Sequence, residues 1–307
     1  MAVPVNTNLR GRVFSWRDVK EKSLHLFFAA NGVLAIVVLL GIFSLLFTES
    51  LPALKSIGIS EFLLRLQWDP TSPERASYGL VAMILSTLMV SVGALIIAVP
   101  IGVGCAAFLA DVAPPAVREV LKPAVEILAS IPSVVVGFLG VVLVGPTIAR
   151  VFGIPSGLCA LNGILLLAVM ALPTIVSICE DAIVSVPQEF KSASLALGAT
   201  KWQTLIHVTL PSASSGIVAA VMLGMGRAIG ETMTVLMATG NAAAVPKTFL
   251  DPVRTMTATI AIEMGETVQG SLHYQSLFVI GLVLFCMTFA VNVVSDIVLE
   301  RYQRVRR

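Results

Sequence analysis

From Ser23 to Thr48 the chain carries no Asp, Glu, Lys or Arg. A run of that kind is long enough to cross a bilayer, which takes about 20 mostly apolar residues for about 30 Å of hydrocarbon. Backbone at that depth must satisfy its own hydrogen bonds, so the run is expected to be a helix. Five further apolar runs follow the one at 25–48: 78–110, 120–144, 158–184, 210–238 and 275–299. The chain has 307 residues, 57% hydrophobic and only 12% charged, against about 25% charged in a soluble domain. The expectation is an all-α membrane protein with six transmembrane helices.

Basic residues set the expected orientation, because Lys and Arg concentrate in cytoplasmic segments. Arg10, Arg12, Arg17, Lys20 and Lys22 precede the first span, and Arg301, Arg304, Arg306 and Arg307 follow the last. With both termini cytoplasmic, Arg118, Lys122, Lys191 and Lys201 also fall inside. Lys55, Arg65, Arg75, Arg150, Lys247 and Arg254 fall outside, and Arg227 remains in the membrane. The inverted topology reverses that bias. A cleaved signal peptide is not expected, since the first apolar run exceeds a short signal core.

Residues 1–24 read as a basic cytoplasmic lead-in helix, 25–77 as the first span with an external loop, 78–297 as the core, and 298–307 as a basic cytoplasmic tail. Trp68-Asp69-Pro70 in the first external loop is turn chemistry. The stretch 253–264 is helix-compatible but too polar to span, and is expected to re-enter the bundle surface. No GxxxxGK[ST], HExxH or GxSxG occurs, so no nucleotide cradle, catalytic residue or metal site is expected. Cys105, Cys159, Cys179 and Cys286 show no CxxC spacing and read as buried small hydrophobes. Nothing suggests a nucleic-acid partner. Membrane lipid is the surrounding medium.

Between the fourth and fifth runs lies VPQEFKSASLALGATKWQTLIHVTLPSA. Its pattern is helical with Gly198 in the middle, where glycine costs up to about 1 kcal/mol. Two short helices over 187–205, meeting near Gly198-Ala199-Thr200, are expected. Pro211 then opens the next span, where a missing N–H does no harm. Pro100, Pro132 and Pro173 are expected as bending points within the helices.

Within the fifth run, MGRAIGETMTV places Arg227 and Glu231 four residues apart. Arg227 is sixteen residues beyond Pro211, about 24 Å along a helix, hence at or past mid-depth. A central Arg costs about 2.5–3.5 kcal/mol on insertion scales. On a continuous helix Glu231 would neutralise it from the next turn, though Arg-then-Glu is the weaker order. Glu126 is an alternative partner. Guanidinium is a planar, permanently charged donor fork suited to a tetrahedral oxyanion, and Thr232 and Thr234 add hydroxyls close by. The residues leave two readings open, an anion path and a structural ion pair. Glu180, Asp181 and Asp296 read as interfacial or packing charges.

Two motifs carry a family resemblance. The first resembles the coupling motif of bacterial ABC importer permeases, Glu-Ala-Ala, three residues, Gly, then Ile-x-Leu-Pro. Ala193 holds the first alanine position, Gly198 the glycine, and Val208, Leu210 and Pro211 the end. Ser192 stands where the family often has Glu, and Ser194 replaces the second Ala. The second, GRAIGETM, resembles the signature of phosphate-specific ABC permeases of the PstC type. IPSVVVG (131–137) and WDP support it.

The resemblance implies the type I ABC importer permease fold over 78–297. It implies a path for inorganic phosphate involving Arg227, Glu231, Thr232 and Ser133. It also implies an ATPase-coupling surface at Ser192, Ala193, Leu197, Gly198, Ala199, Thr200, Leu210 and Pro211. The implied partners are a second permease (PstA type), a dimer of ATPase subunits (PstB type) holding ATP and Mg, and an external phosphate-binding protein (PstS type). The chain itself needs no cofactor. The rival readings are a stand-alone anion channel or secondary transporter, or an ABC permease for molybdate or sulfate.

Overall fold

The computed structural model describes residues 16–72 and 76–304. Part of the lead-in (1–15) and of the tail (305–307) lies outside the described residues. In chain order the helices are α1 (Trp16–Ile57), α2 (Ile59–Leu64), α3 (Val81–Ala107), α4 (Pro115–Ser130), α5 (Ser133–Leu139), α6 (Gly145–Phe152) and α7 (Ala160–Val184). Then come α8 (Gln188–Ala196), α9 (Lys201–Thr204), α10 (Leu210–Ser212), α11 (Ser214–Gly230), α12 (Met233–Ala238), α13 (Met256–Glu263) and α14 (Leu272–Arg304). Wider π turns continue α3 through 108–112, join α5 to α6 through 140–144, and join α9 to α10 through 205–209. A two-residue hairpin pairs β1 (Trp68–Asp69) with β2 (Ser77–Tyr78).

Among the described residues, five helical stretches are long and apolar enough to cross a membrane, and a sixth arises if the pair bent by 68° at Ala213, Lys201–Ser212 with Ser214–Gly230, is one span. The core is α3 against α7, with α11 packed on both. Small residues allow the approach, as is usual where hydrophobicity cannot drive helices together in lipid. A methyl on Gly93 would sit 2.8 Å from Ile164, and one on Gly102 2.7 Å from Ile175. By contrast α1 exposes most of its apolar side chains and leans on α14, with Phe43 and Phe285 5.5 Å apart. Apolar exposure of that extent is expected of a lipid-facing helix.

The third expected span is displaced. The run 120–144 is not one helix, because Ile131 and Pro132 are extended, with ψ of 126° and 136°. What precedes the break, α4, is amphipathic with no buried residue. The span is Ser133–Phe152. Proline disfavours helical geometry in the residue before it, so α4 ends one residue short of Pro132. Of the three prolines expected as bending points, Pro132 does interrupt its run, whereas Pro100 and Pro173 lie inside unbroken helices.

One strong tie holds α4 to the bundle. Glu180 on α7, 1% exposed, receives Arg118 Nη2 at 2.8 Å and Lys122 Nζ at 3.1 Å. Asp181 is exposed. Both cations are over a third exposed and can rehydrate, so the full penalty of a broken buried pair does not apply. Glu180→Gln is expected to destabilise the protein by about 2 kcal/mol, read as a lowered Tm in detergent.

At the end opposite α8 and α9, Phe62, Trp68, Tyr78, Met256 and Leu277 form a second buried cluster. Burial there raises the pKa of the Tyr78 phenol. Glu263 gathers Trp68 Nε1 at 3.0 Å, Arg254 Nη1 at 2.9 Å and His273 Nε2 at 2.8 Å. Backbone N–H groups of Thr248 and Lys247 hold the Asp251 carboxyl below its usual pKa. The stretch 253–264 does re-enter, since Met256, Thr257, Ala258 and Thr259 of α13 are all buried. The cysteine expectation holds for Cys159 and Cys179 only, because Cys105 and Cys286 are exposed.

Candidate functional site

The fifth expected span, 210–238, is not continuous. Its helix α11 ends at Gly230, Glu231 is extended (φ −68°, ψ 130°), and α12 starts at Met233. Pro211 lies before the bend at Ala213 rather than opening the span, which begins at Ser214. Arg227 is thirteen residues into α11, about 20 Å along it. The break therefore lies past the midpoint of the span but still inside the bundle, with α12 continuing beyond it. Non-helical backbone at such depth survives only where protein buries it or it lines a cavity.

Here hydroxyls from neighbouring elements replace the lost helical bonds. Thr257 Oγ1 on α13 donates to the Glu231 carbonyl at 2.9 Å, and Thr232 Oγ1 to the Gly230 carbonyl at 3.4 Å. Glu231 Oε1 accepts from the Thr234 N–H at 3.3 Å, in the manner of a helix cap. Thr234 Oγ1 donates to the Ser133 carbonyl at 3.0 Å. That bond joins this break to the one at Pro132. Ser133, at the start of one span, is thus brought beside Glu231 and Thr232, at the break in another. Thr234 joins the site as its sequence position suggested, whereas Thr257, distant in the chain, was missed by sequence reasoning.

The expected Arg227–Glu231 pair does not form. Once Glu231 leaves helical geometry the four-residue spacing no longer stacks the side chains. Among the described residues no carboxylate lies within 4.0 Å of Arg227, and Glu126 is exposed rather than its partner. Arg227 makes one hydrogen bond among the described residues, from Nη1 to Thr174 Oγ1 on α7 at 3.2 Å. Arg227 is exposed in the single chain, and so is Leu223 one turn earlier. A methyl on Gly226 or Gly230 would meet nothing within 4 Å. The opposite face of α11 is packed, with Ala220, Gly224, Ala228 and Ile229 buried. This open face of α11 carries an uncompensated cation at mid-depth.

The second group of expected residues lies at the other end of α7. Helix α8 stops in a glycine-dependent cap, where the Gly198 N–H bonds Leu195 O at 3.0 Å and the Ala199 N–H bonds Ser194 O at 3.2 Å. Gly198 has φ 87°, which suits glycine. Thr200 then opens α9 through a reciprocal capping box with Gln203. Ser192 and Ala193 are exposed, and Leu197 at the tip is 90% exposed. Leu210 and Pro211 sit apart from this tip, on α10.

The elbow is tied back to the bundle. Ser194 and Thr204 hydroxyls meet at 3.0 Å, and Lys191 Nζ reaches Asp111 at the end of α3 at 2.5 Å. A groove of about 650 Å³ beside it is lined by Phe190, His207, Pro211 and Gly216 among others.

A bundle of lipid-exposed helices, one of them interrupted beside a charged side chain and another starting at that junction, with a two-helix elbow projecting at one end, defines a membrane permease component. Residues 98–307 match the family model of the binding-protein-dependent transport system inner membrane component, and the chain belongs to that family. It is a transport component rather than an enzyme.

Among its relatives, the probable ABC transporter permease protein YqgH of Bacillus subtilis is 40% identical over 252 residues, 81% of this chain and 80% of that one. The phosphate transport system permease protein PstC of Mesorhizobium japonicum is 36% identical over 291 residues, 89% of this chain and 88% of that one. A solved bacterial ABC transporter involved in the import of the acidic polysaccharide alginate shares the fold. Its TM-score is 0.63 at 17% identity, over 93% of this chain and 98% of that one.

Proposed function

We propose that this chain is the permease subunit of an ATP-driven importer for inorganic phosphate and forms half of the translocation path. The observation that carries this reading is Arg227, a guanidinium at mid-depth with no carboxylate partner among the described residues and an open helix face around it. The phosphate permease relatives support the substrate.

An anion entering a low-dielectric seam loses its hydration. A fixed cation with planar donors offsets that loss where it is largest. Among the described residues, only Oε1 of the two Glu231 carboxylate oxygens is engaged. The other can accept a proton-bearing oxygen of phosphate, which fully ionised sulfate does not have. Ser133 and Thr232 line the same junction.

In this reading both termini are cytoplasmic and the α8–α9 elbow faces the cytoplasm. A dimer of ATPase subunits, holding ATP and Mg, receives the tip at Leu197 and Gly198. A second permease closes the open face of α11, and an external phosphate-binding protein delivers substrate at the opposite end. Movement of the elbow passes to α3 through Lys191–Asp111 and to the bent span through α9 and α10.

Reconstitution with the partner subunits tests the proposal. Radiolabelled phosphate uptake should require ATP and the ATPase subunits and survive collapse of the proton gradient. Uptake without ATPase that disappears with the gradient would instead mark a secondary transporter.

A further inference from the structure

Thr174 follows Pro173 in the middle of α7 and is half-buried. Hydroxyls inside helices commonly return their proton to the carbonyl one turn back. Ser86, Thr87, Thr147, Thr259, Ser276 and Thr288 all do so here, at 2.7–3.0 Å. Thr174 is different. Its Oγ1 accepts from Arg227 Nη1 at 3.2 Å, and among the described residues its own proton reaches no acceptor. Threonine has two accessible side-chain wells in a helix, and the one occupied here gives up the backbone bond to meet the guanidinium.

A hydroxyl that accepts from a cation is polarised into a stronger donor. The Thr174 hydroxyl and the exposed Arg227 guanidinium are side by side, 3.2 Å apart. What satisfies both is one acceptor-rich group, and a tetrahedral oxyanion has several oxygens to offer.

We infer that Thr174 is a second donor of the anion site. It binds one oxygen of the passing phosphate while Arg227 binds another, and its lone pair holds the guanidinium in place. The inference rests on the phosphate-path reading of Arg227. It adds a neutral donor on a different helix, so that the site spans α7 and α11 and alters when those helices slide.

The test uses the complete complex, with both permeases, the ATPase and the binding protein, in proteoliposomes with radiolabelled orthophosphate. Thr174→Val, which keeps shape and loses the O–H, is expected to slow uptake about tenfold, the worth of one hydrogen bond to a charged group. Assembly and stimulated ATP hydrolysis stay near wild type, so the phosphate moved per ATP falls. Thr174→Ser keeps the donor and should transport normally.

Normal uptake by Thr174→Val overturns the inference. So does equal loss in the Val and Ser variants, or loss of assembly in the Val variant, each of which indicates a packing role. The two ideas fail separately. Normal transport by Arg227→Gln removes the phosphate-path reading itself, whereas an inactive Arg227→Gln beside a normal Thr174→Val removes only the role of Thr174.

Discussion

Arg227→Gln is expected to lower phosphate uptake by about 100-fold or more, the scale on which losing one preorganised charge-stabilising donor acts in a dry site. The complex should still assemble. Arg227 forms no ion pair among the described residues, and its one hydrogen bond reaches the half-buried Thr174. Removing it therefore strands no buried charge. It also relieves the insertion cost of a central Arg, about 2.5–3.5 kcal/mol. Uptake in proteoliposomes and co-purification of the partner subunits check the two halves. Loss of assembly with the same substitution would show that Arg227 serves the subunit seam instead of the substrate.

Gly198→Asp is expected to break the link between ATP hydrolysis and transport. Gly198 has φ 87° at the end of α8, and an added methyl meets nothing within 4 Å. Asp is among the residues that tolerate this left-handed conformation, so the elbow should keep its shape at a strain of about 1–2 kcal/mol. What changes is the tip, where a carboxylate now sits beside Leu197, 90% exposed. Burying such a leucine in a partner groove is worth about 1.5–3 kcal/mol, and a neighbouring charge that must be desolvated cancels that gain. The measurement is phosphate moved per ATP hydrolysed, expected to fall about tenfold. Normal coupling would remove this tip from the ATPase contact.

The elbow was largely legible because its signals are local. Glycine past a helix end and threonine three residues before glutamine act through backbone bonds within one turn, and ALGATKWQ carries both. The spans at 158–184 and 275–299 were legible for a similar reason, since uninterrupted apolar length leaves helix as the outcome. The third and fifth spans were misjudged because each apolar run resumes on the far side of its break. Nothing in the hydropathy of 120–144 or 210–238 distinguishes a straight helix from one interrupted at Pro132 or Glu231.

Length, hydrophobicity and the GRAIGETM signature were enough to determine a helical membrane protein and to single out Arg227, because the cost of placing charge in lipid depends on the residue and its depth. The tertiary structure alone decided that Arg227 stands apart from Glu231 and against Thr174. A break in a span is stable only if other elements supply its missing hydrogen bonds. Those donors, Thr257 on α13 and Thr234 reaching back to Ser133, become neighbours only when the helices pack.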